Sequence, residues 1–455
     1  MTELADILTE RLQALWGPAV EVSAVRPMPG GASRESWDIE VQTPGQAQRH
    51  LILLRDAGGR TRQPARNIDI EAAAMIAARA AGVPVADLYD HGEGALGRAY
   101  LLMERLEGET IPRRLLRDDA YAAARHRLAR RLGEVLARIH QIDPGTLPGL
   151  PHVDALGQLT ELYQGFAEPR PALEIGLRWL REHQPAPVAD TLVHGDFRTG
   201  NLMIATDGLA GVLDWELTHR GDPRQDLGWL CTKAWRFGSP HPVGGFGSRD
   251  ELMAGYAKGG GTPPDEVTQR WWELYGTVRW ALLCRSQAER YLSGAEPSIE
   301  LAVLGRRVCE QEFDVLLALG HATPLQIPDP LQDREYPPVR PHDRPSGPAL
   351  HNAVRDFLAT EVGSRDASDP VLKFHARVAA NALRIAEREA LLAPAHEQAH
   401  RKRLAALGCD DDTDLCAKIR DGSLDHRFGD VTEATRAAVV DKLTVANPAH
   451  LAIRP

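Results

Sequence analysis

Three short apolar runs, Thr191 to His194, Asn201 to Ala205 and Gly211 to Leu213, interrupt a stretch of chain that otherwise reads as helix. The last two flank Asp207-Gly208, a dipeptide that favours the tight turn of a β-hairpin. This pattern sets a hairpin inside a helical lobe and gathers polar residues at the strand ends. Those residues are His194-Gly195-Asp196-Phe197-Arg198-Thr199-Gly200-Asn201 and, thirteen positions after Asn201, Asp214 in Gly-Val-Leu-Asp-Trp-Glu. Isolated Asp and Asn are usually turn residues or helix caps. Here the spacing points to phosphoryl transfer, which needs one carboxylate to orient and deprotonate the attacking hydroxyl and hard oxygen ligands for Mg²⁺ on the phosphates. Asp196 suits the base, and Asn201 and Asp214 suit the metal.

Ahead of this hairpin, Leu4, Ile7, Leu8, Leu12 and Leu15 follow helical spacing up to Gly17-Pro18. Strands are expected at Val20 to Val25, Ser36 to Val41 and His50 to Arg55, the first two joined through Pro29-Gly30-Gly31. A helix is expected from Ile68 to Ala81 and a strand from Ala99 to Met103. Helices are read again from Tyr121 and at about 223–236, 250–258, 266–293 and 298–320. Between Ile327 and Pro348 seven prolines stand among charged residues, the composition of an extended linker. Beyond it the chain reads as all-helical, with Phe374, Val378, Ala382 and Ile385 along one stripe and Val439, Leu443 and Val445 packing back. The expected divisions are an N-terminal lobe at 1–104, a catalytic and acceptor lobe at 105–326, a linker at 327–348 and a helical accessory domain at 349–455.

With 43% hydrophobic and 25% charged residues, the chain has the composition of a globular protein with sizeable cores. A formal net charge of −10 argues against nucleic acid or an anionic membrane as partner, since both need a basic surface. Cys231, Cys284, Cys309, Cys409 and Cys416 form no Cys-x-x-Cys pair, which fits neither a disulfide framework nor a zinc site. The first residues carry Asp6 and Glu10 in place of a basic start and a long apolar run, so no signal peptide is expected. No later run reaches the roughly 18 apolar residues of a membrane span. The expectation is a cytoplasmic protein.

With these residues in place, the stretch from about Pro27 to Cys309 resembles the aminoglycoside phosphotransferase and choline kinase family, which shares the protein-kinase-like fold. The resemblance implies an α+β, two-lobed architecture, here followed by an all-α C-terminal domain, and the use of ATP and Mg²⁺. In that family His-Gly-Asp-x-x-x-x-Asn is the catalytic loop, making Asp196 the base, Asn201 a metal ligand and Asp214 the second metal ligand. Arg198, inside the loop, is placed either on the transferring phosphoryl group or on a carboxylate that holds the loop. Asp222 and Asp226 are read as supports of the loops. Gly30, Gly31 and Ser33 lie where backbone amides approach the phosphates. Arg55 stands where the family usually has a strand lysine, with Glu71 as its ion-pair partner, and Arg is not equivalent to Lys there. Met103-Glu104-Arg105-Leu106 resembles the hinge whose backbone at Glu104 and Leu106 bonds adenine.

No motif names the acceptor. From Phe237 to Gly320 eleven acidic residues stand against eight Lys and Arg, which does not look like a trap for a polycation. Arg279, Arg285, Arg290, Arg306 and Arg307 are candidates to meet an anionic substrate or, more simply, form a solvated helix face. The run Val-Leu-Asp-Trp-Glu with Gly-Asp-Pro-x-x-Asp-Leu-Gly-Trp-Leu is similar to the branch with kinase domains fused to acyl-CoA dehydrogenases and kinases of hydroxyacyl-CoA catabolism. The tail resembles a small helical domain of unknown function that accompanies such kinases. The implied acceptor is the hydroxyl of a hydroxyacyl-CoA or a related hydroxy acid. An aminoglycoside or choline-type kinase and an inactive nucleotide-binding scaffold are the competing readings, and regulation, a homodimer contact or completion of the acceptor site stay open for the tail.

Overall fold

The structure, a computed structural model, describes residues 2–28, 34–56, 68–94, 96–332, 347–363 and 370–452. Two compact units emerge: residues 1–154 with 186–273, and residues 155–185 with 274–455.

The first unit opens with helix α1 (Thr2–Trp16) and a five-stranded antiparallel sheet of β1 (Glu21–Met28), β2 (Arg34–Gln42), β3 (Arg49–Asp56), β4 (Leu88–Gly92) and β5 (Tyr100–Glu104), ordered β1-β2-β3-β5-β4. Side chains alternate across a strand, so each face of this sheet has its own helix. Leu51, Leu53 and Leu102 are buried with Leu8 and Leu12 of α1. Ile52, Leu54, Leu101 and Met103 pack on the other face with Ile68, Ala72 and Met75 of α2 (Ile68–Ala80). The edge strand β4 was not expected from the sequence. Its Leu-Tyr-Asp-His-Gly run lacks apolar alternation because Asp90 is buried, held by Arg11 at 2.6 Å and by the Tyr100 hydroxyl at 2.6 Å.

After β5 come α3 (Pro112–Arg117) and α4 (Ala122–His140), whose Leu128, Leu132, Val135, Leu136 and Ile139 are fully buried as their spacing requires. Helix α4 packs against the later α8 (Arg249–Lys258) at backbone distance: a Cβ on Gly255 would lie 1.9 Å from the Arg130 carbonyl oxygen, so only glycine fits. The expected hairpin is β7 (Leu202–Ala205) with β8 (Gly208–Val212). The first apolar run instead forms β6 (Thr191–Val193), paired with β9 (His219–Gly221). The hairpin is pinned to the segments around the sheet by reciprocal backbone bonds between Glu109 and Ile204, and by Val212 N–H to the Pro84 carbonyl at 2.8 Å. Helix α7 (Arg224–Cys231) follows β9, and after α8 comes the long helix α9 (Glu266–Leu292).

In the second unit α5 (Ala155–Phe166), α6 (Pro171–Glu182) and α11 (Val308–Ala318) gather with the C-terminal helices α12 (Gly347–Asp356), α13 (Pro370–Leu407), α14 (Asp412–Asp421) and α15 (Phe428–Ala446). The helix expected at 298–320 is two, α10 (Ile299–Gly305) and α11, parted at Arg306-Arg307. The tail expected as a separate domain shares one core with earlier helices, because Val439 and Leu443 of α15 close against Phe313 and Leu316 of α11 and Ile175 of α6. Glu312 of α11, fully buried, is held by Lys442 of α15 at 3.1 Å and by Arg170. Of the proline-rich stretch, residues 333–346 lie outside the described residues. All five cysteines are free and buried, and no described helix is long and apolar enough to cross a membrane.

Candidate active site

The site is assembled at the ends of the short strands of the first unit. The segment leaving β6 turns sharply at Gly195, whose φ is +82° and whose Cβ would fall 2.4 Å from the Leu217 carbonyl oxygen, so a side chain is excluded there. Asp226, at the first turn of α7 and fully buried, accepts from the amides of His194 (2.8 Å) and Gly195 (2.9 Å) and meets His140 Nε2 at 3.2 Å. Burial pushes the Asp226 carboxyl up, but the His140 contact and the His194 amide outweigh it and hold it below the ordinary carboxylate range.

His194 is buried, which lowers its pKa and keeps the imidazole neutral. Its Nδ1 accepts from the Asp196 amide at 3.1 Å, so the proton sits on Nε2, which donates to the Leu213 carbonyl at 3.1 Å. One ring thus fixes Asp196 against the residue preceding Asp214. The Leu213 amide returns a bond to the Asn201 carbonyl at 2.9 Å. Asp196, Asn201 and Asp214 are therefore brought together by the hairpin, as their spacing implied.

The Asp196 carboxylate is clamped. Oδ1 accepts from Trp229 Nε1 (2.8 Å) and Arg198 Nε (3.0 Å), and Oδ2 accepts from Asn201 Nδ2 (2.6 Å). Asn201 also donates to the Asp196 carbonyl at 3.0 Å, which leaves its Oδ1 for a cation. Arg198 lies with its guanidinium 4.5 Å over the Trp235 ring and serves the loop through Asp196. Asp214 has a left-handed backbone, φ +64°, a conformation that Asp tolerates and that stores strain at functional positions. Its carboxyl is pushed up to about 7, by burial first and then by the negative charges of Glu216, Asp196 and Glu71. The Asp214 carboxyl and Asn201 Oδ1 are oxygen donors of the kind that a hard divalent cation takes.

Glu71 of α2 does carry a buried ion pair, but its partner is Arg34 of β2, at 2.9 and 2.6 Å, and not Arg55. The pleat decides this. Arg55 stands opposite Glu35 in the β2–β3 ladder, on the α1 side of the sheet with Leu53, where it pairs with Glu35 at 2.7 Å and lies over Trp37. Arg34, one residue off that parity, faces α2. Its neighbour in sequence, Ser33, and Gly30 and Gly31 lie outside the described residues. At the strand end, the Glu104 amide is committed to the Asp87 carbonyl at 2.8 Å, while the Leu106 side chain packs against the core over Gly211.

Sequence reasoning overlooked Arg34 and Trp229. The signal for Trp229 was its place three residues after Asp226 on one helix, which turns both side chains toward the same loop. Trp271 and Trp272 are buried core residues. Arg285, Arg290, Arg306 and Arg307 are held in ion pairs with Glu168, Glu296, Glu389 and Glu310.

Residues 24–268 match the phosphotransferase enzyme family (APH), and residues 366–450 match a domain of unknown function, DUF6285. Mouse acyl-CoA dehydrogenase family member 10 is 28% identical over 284 residues, covering 55% of this chain and 25% of the relative. Mouse acyl-CoA dehydrogenase family member 11 is 26% identical over 273 residues, covering 54% of this chain and 34% of the relative. The chain thus spans about a quarter to a third of the length of these curated relatives. A crystal structure from Ralstonia eutropha, of a protein assigned as an aminoglycoside phosphotransferase, shares the fold with a TM-score of 0.53 at 22% identity, covering 69% of this chain and 98% of that one.

The two arginines give unequal stability predictions. Arg34→Ala leaves Glu71 buried without its partner and costs about 3–5 kcal/mol, whereas Arg55→Ala removes a partly exposed pair and costs about 1 kcal/mol or less. Urea unfolding of both variants checks this; equal losses would contradict the assignment of Glu71 to Arg34.

Proposed function

Because the chain belongs to the phosphotransferase enzyme family, we propose that it transfers the γ-phosphoryl group of ATP, with Mg²⁺, to a hydroxyl of a small molecule, and that this acceptor is a hydroxyacyl-CoA or a related hydroxy acid. The observation that carries the reading is the clamped Asp196 carboxylate beside Asn201 and the strained Asp214.

Asp196 accepts the proton of the acceptor hydroxyl as its oxygen bonds to the γ-phosphorus, the bond to the β-phosphate oxygen breaks, and ADP leaves. The proton stays on the Asp196 carboxyl until it is lost to water. Trp229 and Arg198 hold one carboxylate oxygen and Asn201 the other, so the base needs no reorientation. Asn201 Oδ1 and the Asp214 carboxylate are the ligands that would hold Mg²⁺, which supplies positive charge to the phosphates when bound. The backbone at Gly30, Gly31 and Ser33 is assigned to the phosphates, and the Glu104 carbonyl and Leu106 amide to adenine. The Arg34–Glu71 pair ties β2 to α2, the link that the resemblance implied for Arg55.

For the acceptor, support comes from the two mouse relatives, which are named as acyl-CoA dehydrogenase family members. The balanced charge of residues 237–320, with its late arginines already in ion pairs, speaks against a site for a polycationic sugar.

ADP release from ATP across hydroxyacyl-CoA thioesters, free hydroxy acids, choline and aminoglycosides tests the acceptor. Turnover is expected on the thioesters or hydroxy acids; turnover confined to aminoglycosides or choline would overturn the acceptor assignment, and a flat panel would favour an inactive scaffold. The pH dependence of metal use is a second outcome. Mg²⁺ binds the ionised carboxylate, and burial with the neighbouring carboxylates pushes Asp214 up to about 7, so the Mg²⁺ concentration for half-maximal activity should rise about tenfold from pH 8 to pH 6. No change over that range would count against Asp214 as ligand.

A further inference from the structure

The chain is acidic overall, yet a cleft of about 1210 Å³ in the first unit is lined by basic side chains, three of them arginines. Arg113 and Arg117 of α3, Arg125 and His126 of α4, and His241 face it, against the single carboxylate Glu251. Glu251 is already committed to the capping box of α8, bonding the Ser248 amide at 2.8 Å. Arg113 and Arg117 are exposed and make no ion pair among the described residues. Arg125 donates to the carbonyls of Leu115 (2.8 Å) and Asp118 (2.7 Å), which fixes its charge in place with no carboxylate against it. Such a concentration of positive charge in a protein of net charge −10 is a local field for an anion.

The rim adds an aromatic. Phe237 is 46% exposed and sits in a left-handed backbone conformation, φ +48°, which a bulky residue adopts only when its surroundings impose it. Exposing a large ring at the cost of strain is the arrangement expected of a stacking platform for a planar base. The cleft is also joined to the chemistry: Thr199 Oγ1, within the loop that carries Asp196, donates to the Gly244 carbonyl at 2.7 Å, and Gly245 lines the cleft one residue on.

We propose that this cleft holds the phosphorylated, nucleotide-type tail of the acceptor, with Arg113, Arg117 and Arg125 on the phosphates and Phe237 against the base. Guanidinium groups suit phosphate because their planar fork offers paired donors. The proposal rests on the reading of the acceptor as a CoA thioester, and it assigns the cleft's residues to specificity, while Asp196 keeps the chemistry.

Binding of free coenzyme A to the full-length protein, with the ATP site filled by Mg²⁺ and AMP-PNP, is measured by calorimetry. The wild type is expected to bind CoA, pantetheine is expected not to compete, and Arg113→Glu/Arg117→Glu is expected to weaken CoA at least tenfold, with AMP-PNP binding on the same sample reporting that the variant is folded. Phe237→Ala is expected to weaken CoA several-fold without changing competition by inorganic pyrophosphate. No CoA binding by the wild type, or equal affinity in the charge-reversed variant, overturns the cleft assignment. Loss of CoA binding in the variant, with no turnover of any thioester by the wild type, supports the cleft and sinks the acceptor reading; thioester turnover by the wild type with an unchanged KM in the variant does the reverse.

Discussion

The carboxylate of Asp226 is the group on which the site depends. A fully buried ion costs several kcal/mol unless its lone pairs are met, and here they are met by two consecutive amides of the catalytic loop and by His140. Satisfying Asp226 therefore forces the His194-Gly195 backbone into one conformation. That conformation aims the His194 ring, which in turn ties the Asp196 amide to the Leu213 carbonyl. A polar group with no direct role in transfer thus sets the distance between the base and the metal side of the site, and it does so from a rigid helix.

The same physics explains the charge pattern around Asp214. Burial and three other carboxylates, those of Glu216, Asp196 and Glu71, raise Asp214, while Arg34 is taken up by Glu71 and Arg198 by Asp196. The positive charge available locally is spent on holding the frame, so the inner face of the site is left electronegative. That arrangement is unfavourable in isolation and favourable once a cation and a polyphosphate are present. Arg113 and Arg117, which make no ion pair among the described residues, lie instead along the cleft reached through Thr199 and Gly244.

Much of this was legible in the sequence where local rules suffice. The hairpin around Asp207-Gly208 and the periodicity of α4 are short-range signals, and Asp196, Asn201 and Asp214 follow from the hairpin's geometry. Long-range matters were not legible. Strand β4 was hidden because its buried residue is an Asp whose partner, Arg11, lies 79 positions away. Arg55 was assigned to Glu71 because a basic residue ended the right strand, but face is set by register, and register placed Arg34 there instead. The shared core of α15 with α11 and α6 likewise depends on which apolar stripes meet, which a linker-like composition before the tail does not reveal.

The account stands most directly on Asp196 acting as the base. Transfer of the γ-phosphoryl group from labelled ATP to the acceptor that turns over best is measured for the wild type and Asp196→Asn, with ATP affinity determined on the same samples. The account predicts a loss of transfer of about 10²–10⁴-fold with ATP affinity changed little. Transfer near the wild-type rate in Asp196→Asn would contradict it.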